Sequence, residues 1–325
     1  MIGIVILNWN GINLLKKFLP SIINYSLNAN IYIIDNNSTD GSQLFIKKNY
    51  LSVKLIQNKI NYGYAKGYNI GLKSINEDIL CLINNDVLVT ENWLKPIIHS
   101  FNSYPEISIA QPIILDLNKP NYFNYSGAAG GFIDKFGYTY CRGRIFNYLE
   151  KNSDQYSGLS QIFWASGACF FIRKNVFDSL NGFDSDFFMH QEEIDLCWRA
   201  FNNNYKVYNI SDSTVFHLGE ATLPESPKKL FYNFRNSFLM LIKNVPTLDF
   251  LSIIVIRIFL DFLAFLRFIF LGKFSESIMI IKAYYSISKI VYKKIKQRDV
   301  FLNTNIYYHK ISVAFDYFIL KRSKF

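Results

Sequence analysis

The chain is poor in cysteine, and what it has follows no ligand spacing. Cys81, Cys141, Cys169 and Cys197 are scattered through 325 residues without a C-x-x-C pair. A zinc ribbon, a thioredoxin-type redox motif and a dense disulfide framework are thereby excluded. Cys81 and Cys169 lie in apolar runs and Cys197 in a helical pattern, as buried free thiols do in a reducing compartment. The opening Met1-Ile2-Gly3-Ile4-Val5-Ile6-Leu7-Asn8 has no basic start and is too short for a signal core, so a first strand is expected there rather than a secretory leader. Internal repeats and low-complexity tracts are absent, which sets aside solenoid and fibrous classes. No G-x-G-x-x-G follows the first apolar run; Gly63, Gly67 and Gly71 are spaced four apart, which gives one close-packed helix face or a close ligand approach. Nor does a Gly-rich loop with Arg and Lys follow that run, as a nucleotidyltransferase would want.

What is present is apolar and basic. Hydrophobic residues make up 50% and aromatics 17%, which excludes general disorder. The net charge of +10 suits an anionic partner, either a phosphorylated substrate or an acidic membrane surface. Nucleic acid has only this charge in its favour, and the charge is heaviest in the apolar C-terminal third.

Residues 1 to about 115 alternate apolar runs with helical patterns, the mark of an α/β fold with a mostly parallel sheet. Strands are expected at Ile4 to Leu7, Ile31 to Ile34, Val53 to Ile56 and Ile79 to Ile83. Each delivers a polar cluster to its carboxyl end: Asn8-Trp9-Asn10-Gly11, Asp35 to Ser42, Asn61 to Gly71, and Asn84-Asn85-Asp86. Ligands bind at that edge of an open α/β sheet. Asp86, flanked by amides and by no basic residue, is the carboxylate a divalent cation on a diphosphate would use. Residues 120 to 160, rich in Gly, Tyr and Asn, read as loops and short strands covering the site as a mobile lid. Gln161 to Arg173 reads as one kinked strand.

The segment from Gly182-Phe183-Asp184 to Arg199 turns into a helix whose first turn holds Glu192 and Glu193. An apolar approach (Phe187, Phe188, Met189) beside two adjacent acids raises a carboxyl pKa, as a general base requires. Asp195 and Arg199, four apart, can pair across one turn. His217 closes a strand-like run and is a candidate metal ligand. After residue 226 the chain becomes helical, and Phe250 to Leu271 is long enough to span a bilayer. Arg257, Asp261 and Arg267 make spanning expensive, so an interfacial helix is expected, with Lys273, Lys282, Lys289, Lys293, Lys294, Lys296 and Arg298 meeting anionic headgroups.

These motifs, in this order over residues 2 to about 220, resemble the family 2 glycosyltransferases, and within them the rhamnosyltransferase-like enzymes of bacterial polysaccharide assembly. The resemblance implies a GT-A fold over residues 1–225 and a helical C-terminal region over 226–325. It also implies a nucleotide-diphosphate-sugar donor (dTDP-rhamnose or a UDP-sugar), a divalent metal (Mg²⁺ or Mn²⁺) and inversion at the anomeric carbon. Carried over, Asn8 and Asn10 border the nucleotide pocket, Asp35 holds the base with Asn37 nearby, and Gly67 and Asn69 lie beside the donor. Asn84-Asn85-Asp86 stands where the family has its D-x-D element. An amide replaces the first acid there, so Asp86 is the metal ligand, with His217 second. Glu193 is the general base by position and Glu192 the fallback, although the family usually has Glu-Asp at this pair. On the acceptor side the candidates are Trp164, by stacking on a sugar or else as core, and Asp195. The expected acceptor is a saccharide or a polyprenyl-linked saccharide, met at the cytoplasmic face of a membrane. The alternative is a non-catalytic nucleotide-sugar-binding scaffold of the same fold.

Overall fold

The computed structural model describes residues 1–219, 227–298 and 306–325. The first third runs β1 (Ile2–Asn8), α1 (Ile12–Asn24), β2 (Ala29–Asp35), α2 (Ser42–Asn49), β3 (Lys54–Gln57), α3 (Gly63–Gly71) and β4 (Ile79–Ile83). Next come β5 (Val87–Val89), α4 (Leu94–Ser103), β6 (Ile107–Asp116) and four short strands: β7 (Gly131–Ile133), β8 (Thr139–Cys141), β9 (Arg144–Ile145) and β10 (Tyr148–Leu149). Then follow β11 (Leu159–Ile162), β12 (Cys169–Arg173), α5 (Lys174–Ser179), α6 (Glu192–Asn202) and β13 (Lys206–His217). Among the described residues four helices follow: α7 (Pro227–Asn244), α8 (Phe250–Phe270), α9 (Phe274–Lys296) and α10 (Val313–Phe318).

One nine-stranded sheet carries the fold, in the order β11-β13-β6-β12-β4-β1-β2-β3 with β5 beside β13. The β4-β1-β2-β3 half is parallel, as the alternating pattern predicts, and β12 enters antiparallel between β4 and β6. Side chains alternate across a strand, and β4 is apolar throughout because both faces are covered. Leu80 and Leu82 join the core on one face, Ile79, Cys81 and Ile83 that on the other. The second face is covered by α1, α2 and α4 through Leu15, Leu19, Ile46, Ile97 and Phe101. The first is covered by α3 and α6, and by α7 through Phe238 to Ile242. The helical C-terminal region therefore shares the main core, and the expected boundary at 225/226 lies outside the described residues.

Two expectations are corrected. The 120 to 160 segment is no loose cover: β7 to β10 form a second, four-stranded sheet, and Phe132, Tyr140, Cys141 and Ile145 are buried in the main core. Residues 161 to 173 are not one kinked strand but parts of two. Between them the chain leaves the ladder, because Ser166 donates its amide to Gln111 Oε1 and its hydroxyl to the Ser126 carbonyl. All four cysteines are buried and free.

Candidate active site

Strands β4, β1 and β2 end side by side, and their terminal polar residues are joined by hydrogen bonds. Asn85 Nδ2 donates to Asn8 Oδ1 at 3.1 Å, and Asn8 Nδ2 donates to Asp35 Oδ1 at 3.1 Å. The other Asp35 oxygen accepts from the Ser38 amide and Gln43 Nε2. Asp35 and Asn8 are fully buried, so in this arrangement they shape the edge rather than face solvent. The surface they support is made by exposed Asn10 and Asn37, both in left-handed backbone, and by Trp9, which is 52% exposed. Asn10 Oδ1 accepts from the Thr39 amide at 2.8 Å, tying the β1 and β2 loops together. Trp9, part of the sequence motif but without a role expected from it, presents the large ring of this surface.

Asp86 follows directly on this edge and is 1% exposed. Its Oδ1 lies 3.1 Å from His217 Nε2, without the alignment of a hydrogen bond and with no other partner. β5 pairs with β13, with Val87 opposite His217, and this brings the two residues together from 131 positions apart in sequence. The tautomer of His217 follows from Asn124. Asn124 Nδ2 donates to the His217 carbonyl and its Oδ1 accepts the Ser126 amide, so Oδ1 is the atom 3.0 Å from His217 Nδ1. In neutral His217, Nδ1 therefore carries the proton, and Nε2 and Asp86 Oδ1 face each other as two acceptors. A cation between them satisfies both, so the pair fits a divalent metal. Among the described residues no third His, Cys, Asp or Glu joins them. Asn124 lies in an irregular Tyr/Asn-rich stretch that offered no sequence signal for this role.

The two acids come from another direction to the same edge. The Asn84 amide donates to the Ala168 carbonyl where β12 runs antiparallel to β4, which sets Gly167 beside the end of β4. Glu193 sits against Gly167, where an added Cβ would stand 3.4 Å from Glu193 Oε1. Tyr64 of α3 donates its hydroxyl to the Gly167 carbonyl at 3.0 Å. Glu192 Oε2 and Glu193 Oε2 are both buried without a hydrogen-bond partner, as are His190 Nε2 and Gln191 Oε1. Burial raises the Glu192 carboxyl well above its ordinary range, and the neighbouring Glu193 raises it further. Burial also raises Glu193, but main-chain amides, Gly167's among them, pull it back. Both are raised, Glu192 the further of the two, while the amides favour the ionised form of Glu193. Burial, with Lys229 adding to it, lowers His190 to about 4, so its ring is neutral near pH 7.

Four of the expected site residues are placed elsewhere by the packing. Trp164 is 4% exposed, lies over Gly131 and donates its indole N–H to the Phe132 carbonyl, so it is core and not a sugar platform. Asp195 is fully buried in a network with Arg199, Lys243 and Asn244, out of reach of an acceptor. Asn69 uses its whole amide on the loop after α5, accepting from the Phe183 amide and donating to its carbonyl. Gly67 is a packing glycine: a Cβ there would meet Asn36 Nδ2 at 2.8 Å.

The Glycosyl transferase family 2 model matches residues 3–180, more than half of the chain. A low-salt glycan biosynthesis hexosyltransferase of Haloferax volcanii is 24% identical over 246 residues, covering 73% of this chain and 74% of its own. An N-acetylglucosaminyl-diphospho-decaprenol L-rhamnosyltransferase of Mycobacterium tuberculosis is 23% identical, covering 70% and 79%. A dTDP-rhamnosyl transferase of Shigella flexneri is 24% identical, covering 68% and 74%. Among solved structures, S. aureus TarS in complex with UDP-GlcNAc superposes with a TM-score of 0.52 at 14% identity, over 79% of this chain and 71% of that one. A Pyrobaculum calidifontis mannosyltransferase in complex with GDP-Man and Mn²⁺ superposes at 0.52 with 10% identity, over 89% and 75%. These structures share the fold, and the scaffold alternative is set aside by the family. The chain belongs to glycosyl transferase family 2 and is a glycosyltransferase of GT-A fold.

Proposed function

We propose that this glycosyltransferase moves a sugar, with inversion, from a nucleotide-diphosphate-sugar to a hydroxyl of a saccharide acceptor carried on a lipid. The observation that supports this reading is the placement of Asp86 and Glu193 at one sheet edge, each with a buried oxygen that accepts no hydrogen bond from the described residues. An unmet buried acceptor is costly unless a ligand meets it. In this reading Glu193 Oε2 takes the proton of the acceptor hydroxyl as its oxygen forms the new bond to the anomeric carbon. The bond from that carbon to the diphosphate breaks, and its electron pair leaves with the nucleoside diphosphate. Glu192, holding its proton, keeps a second negative charge away from the base. Asp86 and His217 are the residues that would hold a divalent cation, which supplies neutralisation of the charge gathering on the leaving group. Asn10, Asn37 and Trp9 border the nucleotide, on the surface that Asn8, Asp35 and Asn85 support; Asn84 stands beside them.

The donor favoured is dTDP-rhamnose, supported by the name of the Shigella relative and by the rhamnosyl transfer in the mycobacterial name, or else a UDP-sugar. The lipid-linked acceptor is supported by the mycobacterial name and by α8. No helix among the described residues is long and apolar enough to cross a membrane. Yet α8 buries Arg257 and Asp261 and exposes Leu251, Val255, Phe259 and Phe262. Between α8 and α9 runs a groove of about 430 Å³ lined by Ile258, Phe262, Phe265, Ile280 and Ile281. Such a face suits the acyl boundary of an anionic membrane, at its cytoplasmic side, with Lys282, Lys289 and Lys296 exposed on α9. Transfer from radiolabelled donor to a lipid-diphosphate saccharide, with Glu193→Gln beside wild type, tests the reading. Turnover in wild type and its loss in the variant are expected; equal turnover in both contradicts the assignment of the base.

A further inference from the structure

The acids of α6 are reached through a loop that its own sequence does not favour. Phe188 (φ 55°), His190 (φ 67°) and Gln191 (φ 73°) are all non-glycine residues in left-handed backbone. Such backbone is strained for a non-glycine residue and persists only where its surroundings over-determine it. Gln191 caps α6, whose next two residues are Glu192 and Glu193, and the Asp195 amide closes the first turn on the Gln191 carbonyl at 2.8 Å. The direction in which the acids leave the loop is thus set by residues 187–191.

One side chain holds that loop from outside. Asn236 of α7 is fully buried and directs Nδ2 at three carbonyls of it: Phe187 at 2.9 Å, Met189 at 2.8 Å and His190 at 2.8 Å. The amide is oriented by Arg235, whose Nη1 donates to Asn236 Oδ1 at 2.6 Å and to the Asp186 carbonyl at 2.9 Å. From the opposite side the Tyr64 amide donates to the Phe188 carbonyl at 2.7 Å, and Gly63 leaves room for the Phe188 ring. α7 begins at residue 227, well past the 3–180 span of the family model.

We propose that Asn236 is a positioning residue for the reaction: its amide protons fix the strained 187–191 loop and thereby aim Glu193 at the acceptor hydroxyl. The proposal rests on the reading of Glu193 as general base. Its reach is energetic as well as geometric, because a loop loosened at three carbonyls admits water to a carboxyl that burial now raises.

The test uses the full chain with Asn236→Asp, which is isosteric but lacks the amide donors, and Asn236→Ser, which keeps one small donor and is the gentler change for folding. Rates are taken per folded molecule. A drop in kcat on the order of 10²-fold is expected, as for a misplaced catalytic group, with KM for the donor and nucleoside-diphosphate affinity within about twofold of wild type. The acidic limb of the kcat profile should move to lower pH. Adding Asn236→Ser to Glu193→Gln should bring no further loss, since the base it positions is already gone. Unchanged kcat per folded molecule in both Asn236 variants, with Glu193→Gln inactive, overturns the positioning role alone. So does a full multiplicative loss in the double variant. Wild-type turnover in Glu193→Gln overturns the base reading, and with it the proposal.

Discussion

The central sheet and helix α8 draw on the same apolar residues and arrange them in opposite senses. In the sheet, Ile, Leu and Phe fill both faces and the polar residues collect at one edge. In α8, the buried positions are Ile253, Arg257 and Asp261, while Phe259 and Phe262 are more than half exposed. Arg257 and Asp261 pair at 2.9 Å, with Tyr284 donating to Asp261 and Arg257 also reaching Ser237 and the Phe136 carbonyl. Of the three charges that disfavour spanning a bilayer, Arg257 and Asp261 are turned inward and satisfied, while Arg267 stays exposed beside the Phe318 ring. A buried ion pair contributes little net stability; here it keeps two charges off the exposed face that carries Leu251, Val255, Phe259 and Phe262.

The two regions are tied by a second charge network. Lys294 of α9, fully buried, meets Asp184 at 2.6 Å and Asp186 at 2.7 Å, and Lys243 of α7 bridges Asp184 and Asp195. Burial alone would raise Asp184, but Lys243 and Lys294 outweigh it and hold it far below the usual carboxylate range; Lys243 and Arg199 outweigh burial at Asp195 and lower it too. Lys294 and Arg298, expected to face headgroups, are thus spent on the protein: Arg298 donates to the carbonyls of Ile242 and Val245.

Four outcomes would undo or refine this contrast. The largest belongs to the sheet edge: Asp86→Ala and Glu193→Gln should each lower transfer by about 10²–10⁴-fold with an unchanged melting temperature, by assay and calorimetry. Next is the tie between the regions. Lys294→Met removes the buried partner of two half-buried carboxylates, leaving Asp184 to Lys243 and Asp186 to Lys293, and should lower the denaturant midpoint; a change within error would mean the regions are energetically independent. Third, Phe259→Ser with Phe262→Ser should weaken sedimentation with anionic vesicles roughly tenfold per side chain, while transfer to a soluble acceptor stays at wild type. The smallest is a matter of pH. Asp184 and Asp195 have depressed folded-state pKa values, so their contribution is complete above their ordinary value of 3.8 and lost as pH falls through the lower folded values. Glu193 acts in the other sense: its raised pKa places the acidic limb of kcat above 4.5, with activity rising as the carboxyl ionises.

Much of the sheet edge was legible because strand ends are local: β4 is observed at the expected Ile79–Ile83, and Asn8, Asp35 and Asn85 come together as adjacent parallel strands require. What sequence could not supply was long-range. Trp164 reads as an aromatic in a small-residue bend, and only the close approach of Gly131 makes it core. Asn69 and Asp195 have the right chemistry for ligands but are used by loops and helices far along the chain. Asn124 and Asn236 matter through contacts 93 and 46–49 residues away, which no local pattern encodes. The inversion of α8 was hidden for the same reason, since the partners of Arg257 lie on α7 and before β8.

The donor site at the sheet edge is probed most directly by the melting temperature of wild type and Asp86→Ala with nucleoside diphosphates and nucleotide-sugars, each with Mn²⁺, Mg²⁺ or EDTA. A ligand bound only by the native state raises the melting point by mass action. The expected outcome is a shift in wild type with one nucleotide class, dependent on the divalent ion and absent from Asp86→Ala. No shift with any nucleotide in folded wild type, or an equal shift in the variant, would contradict a metal-assisted donor site built on Asp86.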